Sequence, residues 1–157
     1  KNNKKFYSWV DLGSEYRAPE LTSALLCSQL KKVKKIQTKR KRIWLRFNDL
    51  INSLNTNKFF LIKPIKKSVS AYHILALVFK TNSLANKFKN FIQKKNIAAT
   101  FHYVPLHKSK MGKKYCNYKL PVTENVYSRV VRLPLFSDMT KNEFEKISIN
   151  IKKFIHE

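Results

Sequence analysis

Glycine is nearly absent from this chain of 157 residues, which has only Gly13 and Gly112. Two isolated glycines cannot build a loop whose backbone N–H groups cradle a phosphate, so P-loop and dinucleotide-fingerprint chemistry is excluded. Cysteine is equally scarce. Cys27 and Cys116 cannot make a disulfide framework, and both are expected to be reduced in a cytoplasm. No apolar run approaches the ~20 residues needed to span a bilayer, and the N-terminus carries no secretory hydrophobic segment. The first residue is Lys1 rather than Met, as expected of a piece of a longer or processed chain.

Acidic residues are also few. Nine Asp and Glu stand against 33 Lys and Arg, for a formal net charge of +24. Such a balance raises nucleic acid or an anionic membrane as partners. Two features weigh against both. Only six of the basic residues are Arg, the side chain favoured for bidentate phosphate and guanine contacts. Lysine is also spread over the whole chain together with Asn, Ile and Phe, residues with A/T-rich codons, so a base-composition bias accounts for it. A hydrophobic content of 43% with 13% aromatics excludes disorder, and the length suffices for one domain with a modest core.

Residues 1–18 read as an irregular arm. Pro19 fits the first turn of a helix, and no Pro or Gly follows from Glu20 to Leu54. Leu26, Leu30, Val33, Trp44, Phe47, Ile51 and Leu54 recur at three- and four-residue spacing. The spacing predicts one very long helix over 19–54, or two joined near the middle. Residues 55–157 then predict a small α+β unit. "KFFLI" (58–62), "AYHILALVF" (71–79) and "IAATFHYV" (97–104) read as strands, the second apolar on both faces and therefore central. Residues 82–96 read as an amphipathic helix, 107–122 as a Lys-rich loop, 123–131 as a short helix and 132–136 as an extended piece. "TKNE" (140–143) has the form of a capping box opening the last helix. The predicted architecture is a long helix followed by a three- to four-stranded sheet with helices on one face.

Among these segments, "FHYVPLH" (101–107) concentrates two of the four histidines and one of the five prolines. Three explanations compete: a metal site, packing at a strand end, or a loop that reads a small molecule. A zinc site from His102, His107 and Cys116 matches no standard spacing and lacks a fourth ligand, so no metal is expected. Imidazole and phenol groups on a Pro-stiffened turn suit hydrogen bonding to sugar hydroxyls or a diphosphate. His73 lies in a strand that reads as buried, where a hydrogen-bonded core histidine is the simpler account. Residues 31–42 hold eight Lys or Arg in twelve positions. Lys31, Lys35, Lys39 and Arg42 share a helix face and support a rival function, a basic nucleic-acid-binding module. No aromatic side chain for base stacking interrupts that run, and a solvated helix face explains it more simply.

Three local patterns, in order, resemble one family. "WVDLGSEYRAPELTSALLCSQL" (9–30), "FHYVPLH" (101–107) and "VVRLPLFSDMTKNEFEKI" (130–147) are similar to the C-terminal part of the DegT-type pyridoxal-phosphate sugar-nucleotide aminotransferases. The resemblance spans nearly the whole chain. It implies the small C-terminal domain of a fold-type I aminotransferase, working as a homodimer, in a family that moves an amino group from glutamate to C4 of a keto-deoxy-sugar nucleotide. His102, Tyr103 and His107 map onto the family's substrate loop, and His73 onto the histidine that opens the preceding strand. Ser14 and Tyr16 map onto the segment that reaches the cofactor phosphate across the dimer, where Glu15 stands in place of the family's Asn. A carboxylate there would be repelled by a phosphate. The cofactor lysine and its carboxylate partner belong to a large domain that this chain lacks. The expectation is therefore a split or degenerate fragment that binds no pyridoxal phosphate alone and is inactive alone, with the large domain and the sugar nucleotide as partners. No membrane partner is expected, and nucleic acid only through nonspecific charge.

Overall fold

The computed structural model describes residues 11, 13, 18–115 and 118–156. The predicted long helix is two: α1 (Glu20–Lys31) and α2 (Val33–Ser53), joined at Lys32, whose backbone leaves helical geometry at φ −103° and ψ 1°. The break falls at the head of the basic run, as the weakening of the apolar pattern there implies. α1 buries none of its residues, and Leu21, Leu25, Leu26 and Leu30 are all exposed. The second half of α2 does the packing. Ile43, Trp44, Phe47 and Ile51 are buried at the three- and four-residue spacing of one helix stripe.

Strands β1 (Phe59–Leu61), β2 (Leu75–Phe79) and β3 (Val130–Leu133) form an antiparallel sheet in the order β1-β2-β3. Helices α3 (Asn82–Lys94), α4 (Gly112–Tyr115), α5 (Pro121–Tyr127) and α6 (Lys141–His156) complete the fold. Every residue of β2 is buried, and its alternation separates two environments. Leu75, Leu77 and Phe79 enter the main core with α2, α3 and α6, whereas Ala76 and Val78 join Val130 in a small cluster on the other face. The main core is aromatic: Phe88 of α3 lies 4.9 Å from Phe79 and 5.0 Å from Phe154, ring centre to ring centre.

Local chemistry fixes the helix ends. The capping box is as predicted: the Thr140 hydroxyl accepts from Glu143 N–H at 3.2 Å, and the Glu143 carboxylate accepts from Thr140 N–H at 2.8 Å. At the other end of α6, Lys58 Nζ donates to the carbonyls of Phe154 and Ile155, at 3.3 and 2.8 Å. A cation on these unpaired carbonyls also complements the helix dipole.

Three sequence expectations need correction. The segment 97–104 is not a strand. Thr100 makes one isolated bridge to Arg132 at the outer edge of β3, and the chain then leaves the sheet. The third strand is β3, built from Val130–Leu133, because the helix predicted over 123–131 ends at Tyr127. Both edges of β2 are thereby occupied, and 97–104 is left at the rim. Finally, the strand predicted from residue 71 starts only at Leu75, since Tyr72 takes a left-handed φ of 46° and turns the backbone.

The aromatic cluster predicts that Phe88→Ala lowers the unfolding free energy by about 3–5 kcal/mol. Urea unfolding followed by far-ultraviolet circular dichroism measures this, and a loss below about 1 kcal/mol would contradict the packing described.

Candidate functional site

The thinly covered face of the sheet carries a groove of about 780 Å³. Ala76 and Val130 of the sheet contribute to its floor, Trp44 of α2 and Tyr72 to one part of its wall, and Val126 and Tyr127 of α5 to another. The loop 102–106 closes it. The loop is positioned from both sides. Upstream, Thr100 and Arg132 exchange backbone hydrogen bonds at 3.1 and 2.7 Å, which sets the chain's course into His102. Downstream, Ser109 Oγ donates to Leu106 carbonyl at 2.7 Å and accepts from Gly112 N–H at 2.9 Å. A Cβ at Gly112 would run into the Leu106 carbonyl, so this glycine is required by close approach rather than by a turn.

His102 and Tyr103 both line the groove, with their rings 4.1 Å apart. His102 Nδ1 is buried and has no hydrogen-bond partner. Burial, then the Arg132 and His73 charges, hold its imidazole below the ordinary histidine range, so it is neutral at neutral pH. A buried nitrogen without a partner is uncommon in a folded chain, and it falls here on the loop that closes the groove. His73 is exposed and also lines the groove, rather than lying in the core. The physical reason is the late start of β2, which leaves His73 in the approach to the strand.

His107 is placed differently. It does not line the groove, and its Nε2 lies 3.2 Å from Glu124 Oε1. Glu124 also accepts from Lys108 Nζ at 2.6 Å and from Leu120 N–H at 3.2 Å, so one carboxylate ties the loop's short 3-10 turn (Leu106–Lys108) to the start of α5. The Lys108 bond, followed by the Leu120 N–H and the His107 bond, holds the Glu124 carboxyl down to about 2. Ser14, Glu15 and Tyr16 lie outside the described residues, as does Cys116 of the zinc possibility. Among the described residues no group of three His, Cys, Asp or Glu could hold a metal ion. Tyr72 and Tyr127 escape the sequence reading, and Trp44 enters it only as part of the apolar helix stripe; aromatic residues that flank a strand, end a helix or share a core stripe give no signal of a site until the fold brings them together.

A pyridoxal cofactor requires a lysine for its imine and a carboxylate for its pyridinium nitrogen. Among the groove's lining residues Lys63 is the one lysine, and no Asp or Glu lines it to pair with a pyridinium nitrogen. The groove therefore does not fit the cofactor on its own.

The sequence profile of the DegT/DnrJ/EryC1/StrS aminotransferase family matches residues 1–152. The chain belongs to this family. An uncharacterized protein of Methanocaldococcus jannaschii is 29% identical over 160 aligned residues, covering 97% of this chain and 40% of its own. Among solved structures, Helicobacter pylori PseC, an aminotransferase of pseudoaminic acid biosynthesis, superposes with a TM-score of 0.79 at 22% identity. That match covers 99% of this chain and 43% of PseC. DesV of S. venezuelae, solved with a ketimine intermediate, gives 0.80 at 16% identity over 98% of this chain and 41% of its own. The chain thus spans about two fifths of the length of these relatives. The fold is that of the C-terminal portion of these aminotransferases, an α+β unit with a small antiparallel sheet. Among the described residues no helix is long and apolar enough to cross a membrane.

The depressed Glu124 carboxyl makes stability depend on pH. Its contribution to stability is complete above its ordinary value of 4.5 and is lost as pH falls through about 2. Urea midpoints measured across that window should fall more steeply for the wild type than for Glu124→Gln. Parallel curves would show that the tie between the loop and α5 adds nothing.

Proposed function

We propose that this chain is the C-terminal part of a sugar-nucleotide aminotransferase, and that its groove forms one wall of the sugar site. The observation that carries the reading is His102: a neutral imidazole with a buried, unpartnered nitrogen, in the groove wall, on the loop that resembles the family's substrate loop. His102, Tyr103 and His73 hydrogen-bond the sugar. His107 acts through Glu124, as a positioning residue that holds the loop. The absent residues of the longer enzyme supply the pyridoxal phosphate site and its lysine, and the complete enzyme is a homodimer in which Ser14 and Tyr16 approach the cofactor of the partner. The exposed leucines of α1 support a larger protein, since an apolar surface of that kind is normally covered. A cytoplasmic setting agrees with Cys27, an exposed free thiol.

Two outcomes follow. A nitrogen-15 NMR titration of the chain with a dTDP-linked 4-keto-6-deoxy sugar should shift the amides of residues 72–74 and 102–104. His102→Ala should weaken that binding by about 3- to 10-fold, the worth of one hydrogen bond. Shifts confined to other surfaces would refute the groove as the sugar site. The second outcome concerns the chemistry: incubated with pyridoxal phosphate and glutamate, the chain alone should show no visible cofactor band that glutamate bleaches. A bleaching band would mean that the reactive half is present after all.

A further inference from the structure

The two outer edges of the sheet end differently. Beside β3, the Thr100 and Arg132 backbones exchange hydrogen bonds at 3.1 and 2.7 Å, so that edge is paired. β1 has β2 as its one strand partner among the described residues. Lys80 N–H donates to the Lys58 carbonyl at 2.9 Å and Ile62 N–H to the Ala76 carbonyl at 3.0 Å, with Phe60 opposite Val78 between them. In an antiparallel ladder alternate residues turn both backbone groups to the same neighbour. Residues 58, 60 and 62 therefore face β2, and Phe59 and Leu61 direct their N–H and C=O groups outward. Among the described residues no other segment hydrogen-bonds those four groups. The side chains divide too. Phe59 and Leu61 enter the core, whereas Phe60 is 59% exposed and Ile62 45%. The chain beyond the strand adds the exposed Ile65 and Val69, set among Lys63, Lys66 and Lys67. None of these three lysines forms an ion pair among the described residues. No Asp or Glu occurs anywhere from Leu50 to Thr123, a stretch that contains both β1 and β2.

We infer that the outer edge of β1 takes an added strand from an acidic, extended segment of a partner protein, whose backbone pairs with Phe59 and Leu61. In this mode of recognition main-chain hydrogen bonds supply the pairing and alternate side chains the specificity. Apolar side chains of the added strand lie beside Phe60 and Ile62, and the acidic ones that alternate with them meet the lysines around the edge. A second copy of this chain does not suit the edge. Its own β1 brings the same lysines, and lysine on an exposed strand keeps like edges apart. At a net charge of +24 two copies also repel as whole molecules. An anionic lipid surface would meet the lysines and the apolar side chains, but it has no ladder to offer the Phe59 and Leu61 backbone. The inference does not depend on the groove.

The test is nitrogen-15 NMR of the full chain at low salt, titrated with short end-blocked peptides: one of alternating Glu and Val, the same peptide N-methylated at every residue, and one of alternating Lys and Val. The Glu–Val peptide should shift the amides of residues 58–63 and, at saturation, slow hydrogen exchange at Phe59 and Leu61. The other two should do neither. Lys63→Glu should weaken binding of the Glu–Val peptide by about 3- to 10-fold, because it replaces an attraction by a repulsion of similar size. Phe60→Ala should weaken it as well. Both side chains are exposed, and near-ultraviolet circular dichroism, which reads the packed Trp44, confirms that each variant is folded. An N-methylated peptide that binds as tightly as the parent would overturn the inference, because no strand is then added. So would vesicles of anionic phospholipid that shift the same amides while the Glu–Val peptide does not. A chain already dimeric by sedimentation, with Phe59 and Leu61 slow to exchange before any peptide is added, would overturn it too.

Discussion

The structure depends on one strand being buried on both faces. β2 sends Leu75, Leu77 and Phe79 into the aromatic core and Ala76 and Val78 to the opposite side, so each face imposes its own demand. The core face is closed by three helices and carries most of the buried apolar surface, which is where the hydrophobic stabilisation of a unit this size resides. The opposite face holds only a small cluster. Its side chains are short, and α5 covers it through Val126 alone among the clustered residues. A sheet so asymmetrically covered leaves a groove where the second layer is incomplete. The site is a consequence of the packing rather than an addition to it.

Charge is distributed by the same economy. With nine acidic residues against 33 basic ones, an acid placed against a cation has structural consequences. Glu124 binds His107, Lys108 and the Leu120 N–H, Asp138 binds Lys39, and Glu143 caps α6. These are positions where a loop meets a helix or where two helices meet. Most of the positive surface needs no partner, because exposed lysines are solvated and exposed pairs contribute little.

The sequence makes the architecture legible wherever one local rule decides. Thr140 and Glu143 specify the start of α6 by their own hydrogen bonds, and β2 is apparent because an unbroken apolar run of that length has no other stable home. The rule fails where two segments compete for one edge. "IAATFHYV" and "RVVRL" are both apolar enough to pair with β2, and nothing local ranks them. The tertiary fit ranks them instead: Val131 and Leu133 enter the core beside β2, while residues 97–104 contribute Ile97 and Ala99 to the core and then turn away at the rim. His107 shows the same limit in the site. Its partner Glu124 lies 17 residues on, so the sequence shows a histidine in a loop but not the carboxylate that holds it. His73 fails for a backbone reason, since the left-handed Tyr72 delays the strand by the very residues that carry it.

On the proposed function, the groove alone meets what a sugar asks of a protein. An apolar wall with a few polar groups suits a sugar face and its hydroxyls, and it gains little from charge. Ser70 and Tyr72 reach the groove from one short loop. That loop runs from the left-handed Lys67 to the left-handed Tyr72, two backbone conformations that non-glycine residues adopt only when the surroundings hold them. The groove's lining holds Lys63 as its one lysine and no Asp or Glu, so it lacks the acid that would pair with a pyridinium nitrogen. In this reading the C-terminal unit supplies binding energy remote from the reacting carbon. Binding energy of that kind accelerates a reaction only when it orients the substrate against groups carried elsewhere. On the proposed function, this chain thus governs where the sugar lies rather than what happens to it.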